Sequence, residues 1–307
     1  VSDLDKPMNQ SAGALVLVNS ASPCYREFQH TIQPYLDHFG VPYQIHDVAG
    51  SSAPANMQRY ALIVIGHTEF DPQGACFGEI AQRDLISAVR NAGSGLVSFD
   101  GAIFIAGGKV RYHYAQDIFG CDFSGQSVPA DSIQIYHSSP GDAVTALHED
   151  GEVLWLFSKL QMPQVSPPQD AATLATAGEH PLLISRACGA GRAILWTSIR
   201  WADTSVRGPI FGLDDLVWRG LAWAARKPFV LRGMPPFVTM RVDDVSGWGQ
   251  ETGPTPLWWL ESLRRHHLKP WLGLFIWEFS QQAVNELKPY VKAGDATAIV
   301  HGFTWHN

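Results

Sequence analysis

The sequence predicts an α/β protein in two parts: an open, doubly wound sheet over residues 1–228, then the first βα units of a (β/α) barrel over 237–307, incomplete in this chain, with 229–236 as a linker. Three observations predict this. Short, continuous apolar runs end in small polar residues, the signature of parallel strands covered on both faces. These runs alternate with stretches whose apolar residues recur at helical spacing. Around Met234-Pro-Pro236 the pattern breaks, because consecutive prolines stiffen the backbone and block sheet pairing, and it then resumes.

Ala14-Leu-Val-Leu-Val-Asn-Ser20 is the first such run. A helix is expected over 26–39, with Phe28, Ile32, Tyr35, Leu36 and Phe39 on its apolar face and Gly40 as the stop. Strands follow at 43–48 and 60–66, a helix at 80–92 and a strand at 95–100. From about 120 to 170 the signal weakens into short β-like pieces such as Ile133 to His137 and the Pro-rich Pro163-Gln-Val-Ser-Pro-Pro168, which read as an insertion. Pro181 to Ser185 and Ala193 to Ser198 then form two strands joined by the glycine-rich turn 189–191. A helix from Pro209 to Arg226, striped by Leu213, Leu216, Val217, Leu221 and Ala224, closes the first part.

With 307 residues, 46% hydrophobic and 17% charged, and eleven tryptophans, the chain can bury a sizeable core. A net charge of -7 removes the attraction on which nonspecific nucleic-acid binding depends, so no nucleic-acid partner is expected. No window approaches the ~20 apolar residues of a membrane helix, and the N-terminus shows no export pattern, so no transmembrane segment is expected and the chain reads as soluble. Cys24, Cys76, Cys121 and Cys188 form no C-x-x-C pair, which leaves either up to two disulfides or four buried thiols.

Over residues 12–228 this order of elements resembles the class I glutamine-amidotransferase-like superfamily, flavodoxin-like in outline. In active members of that superfamily a nucleophilic Cys sits on a sharp turn between a strand and a helix. The corresponding turn here, Ser98-Phe-Asp-Gly-Ala102, has no Cys, so amidotransfer is not expected. Cys76 and Cys121 lie in loop-like stretches and read as structural thiols.

The residues suited to chemistry lie after the linker. Phe237-Val-Thr-Met-Arg-Val-Asp-Asp244 is a strand ending in two carboxylates, where α/β barrels place their chemistry. A helix from Pro256 to His267, a strand at 271–276, a helix from Ser280 to Lys292 and a strand at 296–300 lead to His301-Gly-Phe-Thr-Trp-His306. Parallel βα units bring the aspartates and histidines to the same rim. Two imidazoles and one carboxylate leave a zinc ion one open position for water, whose pKa the metal lowers toward ~7, and a second carboxylate can serve as general base. Asp244, His301 and His306 are therefore the candidate ligands of Zn2+ or another divalent transition metal, and Asp243 is the candidate base. Because adjacent strand residues face opposite sides, the chain must leave regular sheet geometry at the aspartates, and the stretch Gly247-Trp-Gly249 is expected to allow it. Two similar pairs carry less weight: Asp214-Asp215 suits a helix start, and His266-His267 suits a solvated helix end.

These residues resemble the polysaccharide deacetylase family of carbohydrate esterases. Arg241-Val-Asp-Asp-Val245 stands for its Thr-Phe-Asp-Asp-Gly motif and His301-Gly-Phe-Thr-Trp-His306 for its His-Ser/Thr-x-x-His motif. Arg241 replaces Thr, Val245 replaces Gly, and the histidines are one residue further apart. The resemblance implies Asp243 as base, Asp244, His301 and His306 as ligands, and removal of acetyl groups from an amino-sugar polysaccharide. That substrate implies an extracellular or periplasmic protein. The family's later motifs are not found before Asn307, so the sequence reads as part of a longer polypeptide.

Two functions compete on this reading. One is a metal-dependent deacetylase with the N-terminal domain as an accessory platform. The other is a noncatalytic module whose tryptophans, such as Trp196, Trp201 and Trp218, bind carbohydrate or protein; core packing is the alternative role for Trp196 and Trp218.

Overall fold

The computed structural model describes residues 11–52, 54–102, 104–105, 109–110, 112–139, 142–208, 213–229, 231, 240–246 and 254–303. Two units divide the chain, Val1–Gly233 and Met234–Asn307. In the first, β1 (Ser11–Val18), β2 (Tyr43–Asp47), β3 (Tyr60–Ile65) and β4 (Gly95–Ser98) are the expected apolar runs. β5 (Phe104–Ile105) and β6 (Lys109–Val110) form a small separate antiparallel pair. The main sheet continues with β7 (Asp122–Ile135), β8 (Val153–Ser166), β9 (Ala171–Ala177), β10 (His180–Cys188) and β11 (Gly191–Trp196), in the order β2-β1-β3-β4-β11-β10-β9-β7-β8. The five strands from β2 to β11 are parallel, and each later neighbour is antiparallel.

Strand alternation explains why the parallel strands are apolar throughout. Val16, Val18, Leu62, Val64 and Val97 point to one face, where Phe28, Ile32, Leu36, Leu216, Val217 and Leu221 cover them. Leu15, Leu17, Ile63, Ile65 and Leu96 point to the other, against Leu85, Ala88 and Val89. The first layer comes from a helical segment running from α1 (Tyr25–Glu27) through a π-helical turn, Phe28–Ile32, into α2 (Gln33–His38). α3 (Glu79–Arg90) supplies the opposite layer. The single turn α4 (Thr204–Arg207) precedes α5 (Asp214–Ala224), which opens on Asp214 and Asp215 and buries its predicted stripe. Each fully buried aliphatic side chain contributes roughly 1.5–3 kcal/mol over an exposed one, so a sheet covered twice is the main source of stability.

Residues 120–170 are not an insertion apart from the sheet. They form two 14-residue strands, β7 and β8, paired with each other and joined to the sheet through β9. Their outer positions are polar or solvent-facing, which weakens the apolar pattern, and Pro163 is tolerated because β8 is the edge strand.

The second unit has three parallel strands in the order β12 (Met240–Val245), β13 (Pro270–Phe275), β14 (Thr297–Gly302). α6 (Leu260–Arg265) and α7 (Gln281–Ala293) connect them. Leu257, Leu260, Leu272, Leu274, Ala283 and Leu287 form the core of this unit. α7 starts at Ser280, whose hydroxyl accepts the Ala283 N–H at 3.1 Å, and ends at Gly294 in the left-handed region with φ 74°.

Candidate metal and catalytic site

Asp243 and Asp244 lie near the end of β12, and His301 lies near the end of β14. The strand between them, β13, presents Gly273 at this level. A Cβ there would stand 2.8 Å from Asp243 Oδ1 and 3.0 Å from His301 Cβ, so the glycine leaves the space in which the two side chains fold toward each other. Glycine within a strand marks a close approach of this kind, and the run Trp271-Leu-Gly-Leu-Phe carries that signal in the sequence.

The two adjacent aspartates reach the same imidazole. His301 Nε2 is 3.1 Å from Asp244 Oδ1, and its Nδ1 is 3.5 Å from Asp243 Oδ1. The register of β12 on β13 shifts between Val242 and Val245, and Asp244 has φ 60°. This bulge departs from regular alternation and lets both carboxylates face His301, and Asp tolerates the left-handed region better than most residues. The departure occurs within β12 itself; Gly247-Trp-Gly249 lies outside the described residues, as does His306.

Arg241, one face-repeat before Asp243, was noted in the sequence only as a departure from a motif. Its Nε donates to Asp243 Oδ1 at 2.6 Å, and its Nη2 lies 3.4 Å from His301 Nδ1. A cation on Nε2 would take that nitrogen's lone pair and so place the ring proton on Nδ1, which Asp243 Oδ1 faces at 3.5 Å with the guanidinium alongside. All four side chains are partly exposed, and the ion pairs among them are of the weakly stabilising, solvent-screened kind.

The donor types, imidazole nitrogen and carboxylate oxygen, suit zinc or another divalent transition metal. The 3.1 Å between Nε2 and Asp244 Oδ1 matches an edge of a coordination shell with bonds of ~2.0–2.2 Å. Asp243 approaches the opposite side of the ring, where it can orient the imidazole rather than share the same cation. Among the described residues no group of three or more His, Cys, Asp or Glu is arranged to hold one ion.

In the first unit, the turn after β4 is a structural clasp. Buried Asp100 accepts the N–H groups of Glu69 and Ala102 through Oδ1 and of Phe70 through Oδ2. A Cβ at Gly101 would fall 1.8 Å from the Thr197 carbonyl oxygen, so only glycine lets this turn lie against the end of β11. At the switch point between β1 and β3, His67 Nε2 accepts the Asn19 N–H at 3.0 Å and Nδ1 donates to the Thr68 carbonyl at 2.9 Å. Burial holds this imidazole below the usual histidine value. The crevice where open α/β sheets often bind ligands is thus bridged by protein groups.

All four cysteines are unpaired. Burial, aided by the Glu27, Glu69 and Asp100 carboxylates, pushes the Cys24 thiol up to about 11, and burial pushes Cys121 up to about 12. Neither is an activated nucleophile. Trp196 and Trp201 are buried and pack together at 5.4 Å, with Phe99 stacked on Trp196. Trp218 is half-buried beneath Arg219. Other aromatics face solvent, among them Trp155 and Phe157, 67% and 77% exposed on edge strand β8, and Trp277, 72% exposed in the second unit.

No family model matches the chain, and no curated protein matches it. Solved structures do. A cytoplasmic protein, STM1381 from Salmonella typhimurium LT2, is similar with a TM-score of 0.51 at 13% identity, over 69% of this chain and 100% of that one. A ThuA-like protein from Bacteroides uniformis ATCC 8492 is similar with a TM-score of 0.50 at 12% identity, over 73% of this chain and 94% of that one. At such identities the likeness concerns the fold. The chain is a mixed α/β protein whose large sheet is similar in fold to these two structures. Neither structure is named as a polysaccharide deacetylase, the family expected for residues 237–307. Among the described residues no helix is long and apolar enough to cross a membrane.

Proposed function

We propose that this protein takes part in metal-dependent deacetylation of an N-acetylated sugar polymer outside the cytoplasm, with the first unit as an accessory platform. On this reading β12, β13 and β14 with α6 and α7 are the opening βα units of a (β/α) barrel. The observation that carries it is the meeting of Asp243, Asp244 and His301 across Gly273 at one end of the sheet.

Asp244 and His301, with His306, would hold a divalent cation, which supplies a Lewis acid that polarises the acetyl carbonyl and acidifies water. Asp243, fixed through Oδ1 by Arg241, keeps Oδ2 for the proton of the attacking water. Water oxygen joins the acetyl carbon, the C–N bond breaks, and the amine leaves with a proton, giving acetate and a free amino sugar. Arg241 also lies beside His301, its Nη2 3.4 Å from Nδ1, and so crowds the ring into place.

Elemental analysis of the purified protein and acetate release from acetylated chitooligosaccharides test the reading. About one equivalent of zinc or a similar metal and activity lost in Asp244→Ala are expected. A metal-free protein that zinc does not activate, or activity unchanged in Asp244→Ala, refutes it.

A noncatalytic carbohydrate-binding role is the second reading, favoured by exposed Trp155 and Phe157 on one face of β8. Polymer binding without acetate release, lost in Trp155→Ala, would select it.

A further inference from the structure

The first unit contains a pocket of about 420 Å³ between the α1–α2 segment and residues of α4 and α5. This volume lies within the ~300–1,000 Å³ range of small-molecule sites. Tyr35 and Phe39, four residues apart, stack at 5.7 Å with only 9° between their planes and make part of the pocket lining aromatic. The Tyr35 hydroxyl donates to Asp214 Oδ1, which fixes that carboxylate at the pocket. Arg207 also lines it and brings a guanidinium cation to the pocket. His30 and His38 stand exposed at the rim as further polar groups.

These features specify a ligand. A planar guanidinium is matched best by a carboxylate, which it can meet with two parallel N–H donors. Asp214 disfavours a doubly charged phosphate but can accept hydroxyl groups. The aromatic lining offers a surface for the C–H face of a pyranose ring. We propose that this pocket binds an acidic sugar residue, with its carboxylate on Arg207, its hydroxyls on Asp214 and its ring on Tyr35 and Phe39. The site is separate from Asp243 and His301 and stands whether or not the second unit is a deacetylase.

Calorimetric titration of the full chain with D-galacturonate, D-galactose and acetate tests the proposal. Galacturonate should bind saturably, and both galactose and acetate at least about tenfold more weakly, because each lacks one half of the recognised chemistry. Losing a charge-assisted hydrogen bond worth ~1.5–3 kcal/mol should weaken galacturonate by roughly 10- to 100-fold in Arg207→Gln. Arg207→Lys, which keeps the charge without the planar fork, should fall between. Circular dichroism establishes that each variant is folded, and Phe39→Ala provides a second weakened variant that leaves Arg207 in place. No saturable binding of galacturonate to the unaltered chain overturns the proposal. So does equal binding of galactose or acetate, or undiminished binding by folded Arg207→Gln.

Discussion

Asp243 and His301 stand on strands separated by β13, yet His301 Nδ1 lies 3.5 Å from Asp243 Oδ1, because Gly273 on the intervening strand has no side chain. Gly273→Val would place a branched side chain where these two groups meet. The strand pairing itself tolerates valine, since β-branched residues favour sheets. Zinc affinity measured by competition with a chelating dye should fall at least about tenfold, equivalent to ~1.4 kcal/mol, while circular dichroism remains unchanged. Undiminished affinity in a folded variant would mean that the approach of Asp243 to His301 is incidental.

Arg241 contacts both Asp243 and His301 but is itself more than half exposed. Its removal should therefore cost little stability, under ~1 kcal/mol for a screened pair. On the proposed mechanism Arg241→Ala leaves Asp243 and the ring of His301 unanchored, so acetate release should drop at least about tenfold in kcat with a urea midpoint near that of the unaltered chain. Arg241→Lys should restore only part of the rate, because one ammonium cannot span both contacts. Full activity in Arg241→Ala would show that the contacts do not position the reacting groups.

The parallel part of the fold was legible because doubly covered strands must be apolar at nearly every position, as β3 is from Tyr60 to Ile65. β7 and β8 were harder to read, since one of their faces is solvated and their apolar residues are diluted by Ser, Gln and Asp. Asp243, Asp244 and His301 could be chosen from residue type and topology, but their contacts depend on a bulge at Asp244 and on a bare Cα at Gly273. Pattern alone gave no reason to expect Arg241 in the same cluster. The tryptophans show the converse: Trp196 and Trp201 are core, whereas Trp155 and Phe157 sit on a strand whose edge position only the sheet order reveals.

His67 predicts an acid-sensitive term in stability. In the folded chain burial depresses its value, and both ring nitrogens are engaged in the neutral form. Unfolding returns it to ~6.5, so below that pH the unfolded state binds more protons and is favoured. Stability should therefore fall as pH drops below ~6.5, with a slope of up to ~1.4 kcal/mol per pH unit from this group, and show no such slope above about pH 7.5. Urea midpoints from about pH 5 to about pH 8 should decline less steeply on acidification in His67→Gln, which can still accept from Asn19 and donate to Thr68. Parallel declines in the two proteins would assign the acid sensitivity to other groups.

The thiols give a direct chemical check on the surroundings of the β1 and β4 ends. Only thiolate reacts readily with aromatic disulfide reagents. With Cys24 at about 11, roughly one in a thousand of its thiols is ionised at pH 8, against about a quarter for a thiol at ~8.5. Cys121 is suppressed further, at about 12, and burial also raises Cys76 and Cys188. The native chain should therefore react with such a reagent about a hundredfold more slowly at Cys24 than free cysteine does, and the denatured chain should release four equivalents quickly, because all four thiols are unpaired. Mass spectrometry of alkylated peptides assigns the sites. Labelling of native Cys24 at the rate of free cysteine would mean that Glu27, Glu69 and Asp100 do not surround it as described, and fewer than four equivalents after denaturation would reveal a disulfide.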